Sequence, residues 1–408
     1  EMERRGMKIP LLIGGATTSK QHTALKIAKQ YSAPTFYVTD ASRVSGIVTN
    51  LLDTEKKDEI LQENRRRQQE IRAGFNQSRP KNQMSLTEAR ANKAQIIWRQ
   101  EEIAQVPFTG SKKLPDMPLA EIAEYIDWTF LFSAWELKGR FPKILDHPDY
   151  GRQARDLYEN AQALLKRIID RQLLVIAGVY GFWPAAGDSE DIILFADNAR
   201  KTELLRFNML RQQTLRPDAQ PNYSLADFIT PVNSKLDDFI GAFAVTAGIG
   251  VKELVYRFKK DNDDYNAIMT KALADRLADA AAEFLHRRVR RECGFGDDEN
   301  LSREELPAEK YRGIRPAFGY PACPDHSEKE KLFELLDAPA IGMTLTETFA
   351  MQPPASVSGL FLNHPRARYF HIGKIGPDQV DDYAARKGIS LPQARQYLAP
   401  NLAPSGGK

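Results

Sequence analysis

The stretch from Asp263 to Glu292 has the most regular helical pattern in this sequence. Its apolar residues recur every three or four positions, so they would form one continuous stripe along a helix. The stripe contains Tyr265, Ile268, Met269, Ala272, Leu273, Leu277, Ala280, Ala281, Phe284, Leu285 and Val289. Because a long stripe is buried only when other elements pack along all of it, we expect this helix to cross the core of a sizeable domain.

Two aspartates, Asp275 and Asp279, stand four positions apart on the predicted helix. Like charges at this spacing repel each other by roughly a few tenths of a kcal/mol. A cation or hydrogen-bond donor from outside the helix would relieve this repulsion. A plain surface position explains the pair as well, and the residue types alone leave both interpretations open.

Strand-like runs elsewhere predict a largely antiparallel sheet. The runs Val175–Ala185 and Asp191–Phe195 flank a turn at Gly187 and predict a hairpin. A further strand is predicted from Asp238 to Gly248. Three later runs predict additional strands, and their alternation again favours antiparallel pairing: Leu345–Met351, Ser356–Phe361 and Tyr369–Gly373.

The N-terminal part of the chain has the strand, loop, helix, strand order of a parallel α/β domain. Lys8–Ile13 is a short apolar run, Lys20–Tyr31 has helical spacing, and Thr35–Val38 is a second strand-like run. Gly14 and Gly15 follow the first run. Ligands bind at the carboxyl ends of parallel strands, and small residues there let a flat ligand approach the backbone. We therefore expect a partial Rossmann-like, flavodoxin-like parallel α/β domain.

The segment from Asp53 to Arg90 is rich in charged and amide side chains and predicts a polar helix followed by a linker. Within it, Arg65, Arg66 and Arg67 are candidates for a nucleic-acid patch. Neighbouring glutamates dilute their charge, and no aromatic residues for base stacking are interleaved, so a solvated helix face is the favoured interpretation. The formal net charge of +3 also gives no reason to expect a nucleic-acid partner.

Length and composition are those of an ordinary globular protein. With 408 residues the chain is long enough for two or three domains. No apolar run reaches the roughly 18 residues of a membrane span, and no signal-peptide pattern opens the chain. Cys293 and Cys323 are expected to be free thiols of a cytoplasmic protein. Residues 1–6 have the pattern of the last turn of a helix, so we expect the chain to be a fragment.

The most unusual local sequence runs from Arg315 to His326. Three prolines and a glycine hold polar and aromatic side chains in an irregular backbone, since proline fixes φ and glycine admits close approaches. Arg315 offers a planar fork for a carboxylate, and Tyr320 offers a ring face for a cation or a purine. An ordinary buried turn is the alternative. Cys323 and His326 have the spacing of zinc ligands but lack a second pair, so we predict no metal site.

The run from Arg315 to Lys329, RPAFGYPACPDHSEK, closely resembles the S-adenosylmethionine-binding loop of the activation domain of cobalamin-dependent methionine synthases. The resemblance implies that S-adenosylmethionine is bound by Asp127, Asp279, Glu309, Arg315, Ala317, Gly319, Tyr320, Tyr369 and Phe370. It places Asp127, within the run YIDW, against the amino group of the ligand. Asp279 stands where we expect the family to have glutamate, and a phenylalanine at position 370 loses any hydroxyl contact.

The stretches IGGATTS and TDAS near the N-terminus resemble the closing elements of the family's cobalamin-binding domain. The resemblance implies cobalamin contacts by Gly14, Gly15 and Ala41. The family's DxHxxG motif, whose histidine is the lower cobalt ligand, is absent from this sequence, so we expect a partial cobalamin site. The implied domains are residues 1–55, the C-terminal part of the cobalamin-binding domain; 56–90, a polar helix and linker; and 91–408, a mixed α+β activation domain with a largely antiparallel sheet and long helices.

For function, the resemblance implies the reactivation module of an enzyme that transfers methyl from 5-methyltetrahydrofolate to homocysteine. S-Adenosylmethionine and one electron from a flavodoxin-type reductase would convert cob(II)alamin to methylcobalamin, with the upstream cobalamin domain as a further partner. We expect no catalytic side chain, no nucleic-acid or membrane partner, and zinc only in the family's homocysteine domain. The alternative is a non-catalytic S-adenosylmethionine-binding module.

The end of the predicted long helix is basic, with Arg287, Arg288, Arg290 and Arg291. Complementary charge would favour brief docking of an acidic flavoprotein on this side. A solvated helix terminus explains the four arginines equally well, because cations complement the helix dipole there.

Overall fold

A computed structural model describes residues 2–14, 20, 23–38, 44–53, 56–77, 83–216, 220–296 and 310–403. The chain forms two compact units, Glu1–Asn82 with Ala403–Lys408, and Gln83–Leu402. Ser85 caps the first helix of the larger unit.

The smaller unit contains a parallel pair of strands, β1 (Leu11–Gly14) and β2 (Thr35–Val38). A π-helical turn, Thr23–Ile27, lies between them, and α1 (Val44–Leu52) and α2 (Lys57–Gln77) follow. The predicted parallel pairing of the two strands is confirmed, and within the predicted helix Lys20–Tyr31 the only helical element that the structure describes is this five-residue turn.

Helix α2 has the charge pattern of a solvated surface helix. Arg66 pairs with Glu63 and Glu70 at 2.8 Å, and Arg67 pairs with Glu63 at 2.6 Å. Pairs of this kind between residues three and four apart are typical of an exposed helix face. The arginine cluster is therefore largely neutralised within its own helix.

The larger unit is built on one antiparallel sheet. Its strands are β3 (Gly110–Leu114), β4 (Val175–Asp188), β5 (Asp191–Phe195), β6 (Glu203–Asn208), β7 (Asp238–Ile249) and β10 (Ser356–Phe361). The strand order is β10, β7, β4, β5, β6, and β3 pairs with the N-terminal half of β4 on the same side as β5. The predicted hairpin of β4 and β5 is confirmed, with Asp188 opposite Asp191.

Nine α-helices of the described residues surround this sheet: α3 (Leu86–Ala91), α4 (Leu119–Ala123), α5 (Thr129–Ala134), α6 (Gly151–Asp170), α7 (Val251–Lys260), α8 (Asp264–Glu292), α9 (Glu328–Leu336), α10 (Pro377–Lys387) and α11 (Leu391–Tyr397). Short 3-10 turns occur at Gln100–Glu102, Lys143–Asp146, Leu225–Phe228, Ala338–Ile341 and Ala399–Asn401. Across the described ranges, no helix combines the length and apolar character needed to cross a membrane.

The core lies on both faces of the sheet because alternate residues of each strand point to opposite sides. On β7, Phe243 and Val245 belong to the cluster shared with α6 and α8, whereas Ala242 and Ala244 belong to the cluster shared with α9, α10 and α11. Helix α8 therefore covers one face, as its apolar stripe predicts. Its N-cap is Asp263, whose carboxylate accepts a hydrogen bond from the Asn266 backbone N–H at 3.0 Å.

One of the predicted strands is wrong in part, and another is wrong. The run Leu345–Met351 is interrupted, because β8 (Thr344–Leu345) turns back onto β9 (Met351–Gln352). The run Tyr369–Gly373 is not a strand. Its Ile372 N–H instead donates to the carbonyl of Pro321, 2.8 Å away, so this backbone pairs with the proline-rich loop rather than with the sheet.

Candidate functional site

The proline-rich loop begins along the edge of β10 that faces away from β7. Ile314 and Leu362 exchange backbone hydrogen bonds of 2.9 and 3.0 Å, and the Leu360 N–H donates to the Pro316 carbonyl at 2.9 Å. These bonds continue the antiparallel pattern of the sheet. The backbone of Arg315, between Ile314 and Pro316, is therefore held by the sheet edge.

The middle of the loop is a tight turn centred on Gly319. Its N–H donates to the Cys323 carbonyl at 2.8 Å, and the Ala317 carbonyl accepts from the Tyr320 N–H at 3.2 Å and from Cys323 Sγ at 3.0 Å. Gly319 has φ +93°, and a Cβ there would lie 2.1 Å from the His326 ring. Glycine is therefore required at this position for both its backbone angle and the lack of a side chain.

The guanidinium of Arg315 is anchored through one nitrogen, Nη1. Glu283 Oε2 lies 2.7 Å from Nη1, the Tyr311 hydroxyl lies 2.6 Å from it, and His286 Nδ1 lies 3.4 Å from it. Burial alone would lower the pKa of Arg315, but Glu283, Tyr311 and Tyr369 together outweigh burial and raise that pKa. Arg315 is therefore a fixed cation with 22% of its side chain exposed.

His286 supports this arrangement as a neutral ring. It is fully buried and stacks on Phe361 with ring centroids 5.2 Å apart. Burial, followed by the positive charges of Arg315 and Arg290, holds the pKa of His286 well below its ordinary value. Its Nδ1 can then accept a hydrogen bond from Arg315 Nη1.

An acidic pair faces the same region. Asp127 Oδ1 accepts a hydrogen bond from the Thr129 backbone N–H at 2.9 Å, at the start of helix α5. Asp279 forms an ion pair of 2.9 Å with Arg276. The pKa of Asp279 is raised by partial burial and by the charge of Asp127, while Arg276 and Arg315 act in the opposite direction. Asp127, Asp279 and Arg315 thus share one electrostatic environment.

The predicted aromatic residues fall in different surroundings. Tyr320 is 66% exposed at the tip of the loop. The Tyr369 hydroxyl accepts a hydrogen bond from the Arg315 backbone N–H at 3.0 Å, so it helps to fix the loop. Phe370 is buried, with its ring centroid 5.8 Å from that of Tyr223 and 6.4 Å from that of Phe228. Its ring belongs to the core, and its contact with a ligand stays a prediction.

Three predicted site residues, Gly15, Ala41 and Glu309, lie outside the described residues. Gly14 ends β1 opposite Val38, and a Cβ on Gly14 would lie 2.7 Å from the Val38 carbonyl oxygen. The close approach of the two strands therefore accounts for this glycine without a cofactor.

Sequence reasoning missed Glu283, His286 and Tyr311, which position Arg315. A signal was present in α8: Asp279, Glu283 and His286 follow one another at four- and three-residue spacing, so they lie on one face of a helix that is otherwise rich in apolar residues. Polar residues on a buried face need partners. That need could have marked Glu283 as the partner of a distant cation.

A buried ionic cluster supports the far end of the loop. Lys387 Nζ of α10 lies 2.8 Å from Asp325 Oδ2, and it also contacts Ser327 and Glu328. Asp325 accepts a further hydrogen bond from the Tyr383 hydroxyl at 2.5 Å. Burial raises the pKa of Asp325, but Lys387 and the hydroxyl donors outweigh burial and lower it. The loop is thus tied to helix α10.

The four arginines at the end of α8 do not form one surface. Arg290 is fully buried, with its guanidinium 3.9 Å from the centre of the Tyr311 ring. Arg288 pairs with Glu292 at 2.7 Å, and Arg287 donates to the Tyr125 hydroxyl at 2.6 Å. The prediction that all four present a docking charge is therefore wrong for Arg290, because core packing of α8 decides which way its side chain points. Arg291 is exposed.

Other concave regions of the larger unit lie apart from these residues. A pocket of about 450 Å³ between α4 and α6 is lined by Trp128, Gln162 and Lys166, among others, and another of about 540 Å³ lies beside Arg171, at the start of α7. None of the predicted ligand residues lines either pocket. Within the described ranges, no group of three or more His, Cys, Asp or Glu side chains is placed to hold a metal ion.

The fold and the loop together define a class of mixed α/β domains. In this class an antiparallel sheet carries a long helix on one face, and a proline-stiffened arginine loop lies along its edge strand. Residues 118–388 match the family described as "Vitamin B12 dependent methionine synthase, activation domain", and the chain belongs to that family.

A solved structure with the same fold is described as "Crystal Structure of the MetH Reactivation Domain bound to AdoHcy". It is 43% identical in sequence and superposes with a TM-score of 0.75 over 79% of this chain and 99% of that chain. Family and fold therefore agree that the larger unit is an activation domain of methionine synthase, a methyltransferase.

Proposed function

We propose that this chain binds S-adenosylmethionine beside the Arg315 loop and serves the reductive methylation of cobalamin in methionine synthase. The observation that carries the proposal is that a fixed cation, Arg315, and two carboxylates, Asp127 and Asp279, share one electrostatic environment. This arrangement complements the amino-acid end of the ligand, which has a carboxylate and an ammonium group. Support comes from the related structure, whose description names bound AdoHcy.

Each charged residue has a role in this proposal. Arg315 donates hydrogen bonds to the ligand carboxylate, since a guanidinium pairs well with two oxygens. The ammonium group lies near Asp127 and Asp279, where its charge offsets the burial and the repulsion from Asp127 that raise the pKa of Asp279. The exposed ring of Tyr320 is available to stack on adenine, and Ala317 and Gly319 let the ligand approach the loop backbone.

The chain's own residues bind and orient the methyl donor. When bound, cobalamin supplies the atom that accepts the methyl group. Gly14 is explained by strand pairing, so the described part of the smaller unit gives no separate support for a cofactor cradle. We therefore assign no step through cobalamin. The assignment of residues 1–55 to a cobalamin-binding domain, 56–90 to a linker and 91–408 to the ligand-binding domain is part of the proposal.

The partners and location are also proposed. A flavodoxin-type reductase would dock briefly, and the upstream cobalamin domain would present its cofactor to the bound methyl donor. Both cysteines are free and buried thiols, which is consistent with a reducing compartment such as the cytoplasm.

The experiment that tests the proposal is a calorimetric titration of the chain with S-adenosylmethionine and with S-adenosylhomocysteine. We expect saturable binding of one ligand per chain, and no binding of either would overturn the proposal. A second candidate, a binding module without turnover, is distinguished by adding 5-methyltetrahydrofolate, homocysteine and cobalamin. Release of methionine by this chain would show a complete enzyme, whereas binding without methionine release would show a ligand-binding module.

A further inference from the structure

Glu283 is the acidic partner of Arg315, although the two residues lie in different parts of the sequence. Glu283 belongs to α8 and is 8% exposed, and its Oε2 lies 2.7 Å from Arg315 Nη1. The Tyr311 hydroxyl donates to the same carboxylate oxygen at 3.3 Å. A buried carboxylate is costly unless a cation meets it, so Arg315 and Glu283 stabilise each other's charges.

The contacts of Arg315 are unevenly distributed over its guanidinium. Within the described part of the chain, Glu283, Tyr311 and His286 all approach Nη1. A guanidinium presents five N–H donors in a planar fork, and fixing one nitrogen restricts the plane of the others. The side chain keeps 22% exposure, so a ligand can reach the rest of the fork.

The neighbours of Glu283 keep its carboxylate in place. Its other oxygen, Oε1, lies 3.9 Å from Arg290 Nη1, and Arg290 stacks on the Tyr311 ring at 3.9 Å. His286, one helical turn further along α8, is neutral and fully buried. Glu283 therefore has little freedom to follow Arg315 if that side chain turns.

We propose that Glu283 is a positioning residue for ligand recognition: it anchors Nη1 of Arg315 so that Nε and Nη2 meet the carboxylate of S-adenosylmethionine. This inference rests on the proposed function. Glu283 itself does not touch the ligand. Its effect should appear only with ligands that carry the carboxylate, because it acts through Arg315.

A rival interpretation of the contact between Glu283 and Arg315 predicts the opposite change in ligand affinity. If Glu283 competed with the ligand for the guanidinium, removal of its charge would strengthen ligand binding. Anchoring through Nη1 predicts that binding becomes weaker, because Arg315 would then sample orientations that do not match the carboxylate.

The test compares two ligands on the Glu283→Gln variant of the full chain. S-Adenosylhomocysteine carries the carboxylate, and its decarboxylated analogue keeps the adenosine, the thioether and the amine. We expect Glu283→Gln to weaken S-adenosylhomocysteine binding about tenfold and to leave the analogue within about twofold of the unmodified chain, as for residues coupled by direct contact. In an Arg315→Ala background, the same substitution should have little further effect on S-adenosylhomocysteine.

Glu292→Gln is the matched control, because it removes a carboxylate from the same helix. Glu292 pairs with Arg288 and accepts from the Tyr180 hydroxyl. We expect this variant to bind both ligands as the unmodified chain does. Unchanged or tighter binding of S-adenosylhomocysteine by Glu283→Gln would overturn the inference. Equal weakening of both ligands would also overturn it, since that result indicates general damage to the loop.

Tyr311→Phe provides an independent test if Glu283→Gln does not fold. It removes the hydroxyl that contacts both Arg315 Nη1 and Glu283 Oε2. We expect a smaller loss of affinity, again confined to the ligand with the carboxylate. An equal loss of affinity for both ligands, or no loss for either, would contradict the inference. If the unmodified chain binds neither ligand, the proposed function itself fails, which is distinct from binding that is insensitive to Glu283.

Discussion

Gly319 and His326 are so close that a Cβ on Gly319 would lie 2.1 Å from the imidazole Cε1. The imidazole is also held by Lys329, whose Nζ lies 2.9 Å from His326 Nδ1. Lys329 Nζ in turn donates to the Phe349 carbonyl at 3.2 Å. The tip of the loop therefore rests on a ring that cannot move without breaking this contact.

Gly319→Ala should lower both the stability of the chain and its affinity for S-adenosylhomocysteine. The positive φ of +93° disfavours any side chain, at a cost of about 1–3 kcal/mol, and the new methyl group would displace His326. Denaturant unfolding and calorimetry measure the two effects. Gly388→Ala is the control, because it also has positive φ but no atom within 4 Å of the added Cβ. It should cost about 1–2 kcal/mol of stability and leave ligand affinity unchanged.

The double variant Gly319→Ala with His326→Ala separates the two causes of the stability loss, which are the strained backbone angle and the clash with the His326 ring. Removal of the ring should restore part of the lost stability, whereas the backbone strain should remain. If Gly319→Ala alone were as stable and bound as tightly as the unmodified chain, the close packing of the loop on His326 would be wrong.

Arg315→Ala should weaken S-adenosylmethionine binding by about 1.5–3 kcal/mol, the range for a hydrogen bond to a charged group. It should also destabilise the fold, because Glu283 loses its ion-pair partner. Thermal unfolding and calorimetry on the same sample distinguish the two effects. Arg395→Ala on α11 is the control, since it removes an exposed arginine. Unchanged affinity for Arg315→Ala would remove this residue from the site.

Lys387→Met should be strongly destabilising. Lys387 meets two buried carboxylates, those of Asp325 and Glu328, and its side chain is 8% exposed. Loss of one partner from a buried ion pair costs about 3–5 kcal/mol. Guanidinium-induced unfolding measures the change. The exposed Lys252→Met should have a small effect, and a similar small effect for Lys387→Met would show that the cluster does not tie α10 to the loop.

Stability should fall as the pH is lowered from about 6.5 to about 4, in part because of His364. Burial, together with Arg312 and Arg366, lowers the pKa of His364 to about 4 despite the opposing charge of Glu102. The unfolded chain takes up a proton near the ordinary pKa of about 6.5, whereas the folded chain resists protonation until lower pH. The stabilisation from neutral His364 is therefore complete above 6.5 and is lost on acidification, with a magnitude of roughly 3 kcal/mol.

His364→Asn isolates this contribution. Asparagine keeps an acceptor where His364 Nδ1 accepts from the Arg366 N–H at 3.1 Å. Other groups titrate in both variants, including Asp238, whose pKa burial raises to about 6 and which opposes the histidine effect. The difference in unfolding free energy between the two chains should shrink between pH 6.5 and 4. A difference independent of pH would contradict the buried neutral state of His364.

Charge reversal at Arg291 should slow reductive reactivation of the full-length enzyme at low salt. Arg291 is exposed at the end of α8, and complementary charge mainly raises the rate of encounter with an acidic reductase. At high salt, where ions screen the charges, the reactivation rate of the variant should come closer to that of the unmodified enzyme. Arg395→Glu is the control for net charge. A reactivation rate that is independent of Arg291 and of ionic strength would place the reductase elsewhere.

Elements with strong local periodicity were predictable from the sequence. Helix α8 follows from its period of 3.6, and the β4–β5 hairpin and strand β7 follow from continuous apolar runs, the first two of which flank a turn. The segment 369–373 has an alternating pattern, yet its backbone pairs with Pro321. That partner lies far away in sequence, so the pattern could not distinguish a strand from a segment bound to a loop.

The sequence by itself determined the family, the long helix and the loop that carries Arg315, because these depend on local order and on an unusual run of residues. Only the tertiary structure decided the environment of that arginine. It brings Glu283 of α8 to within 2.7 Å of Arg315, turns Arg290 into the core and leaves Arg291 exposed. The physical reason is that an ion pair between distant segments is selected by the packing of whole elements, whereas local periodicity determines the elements themselves.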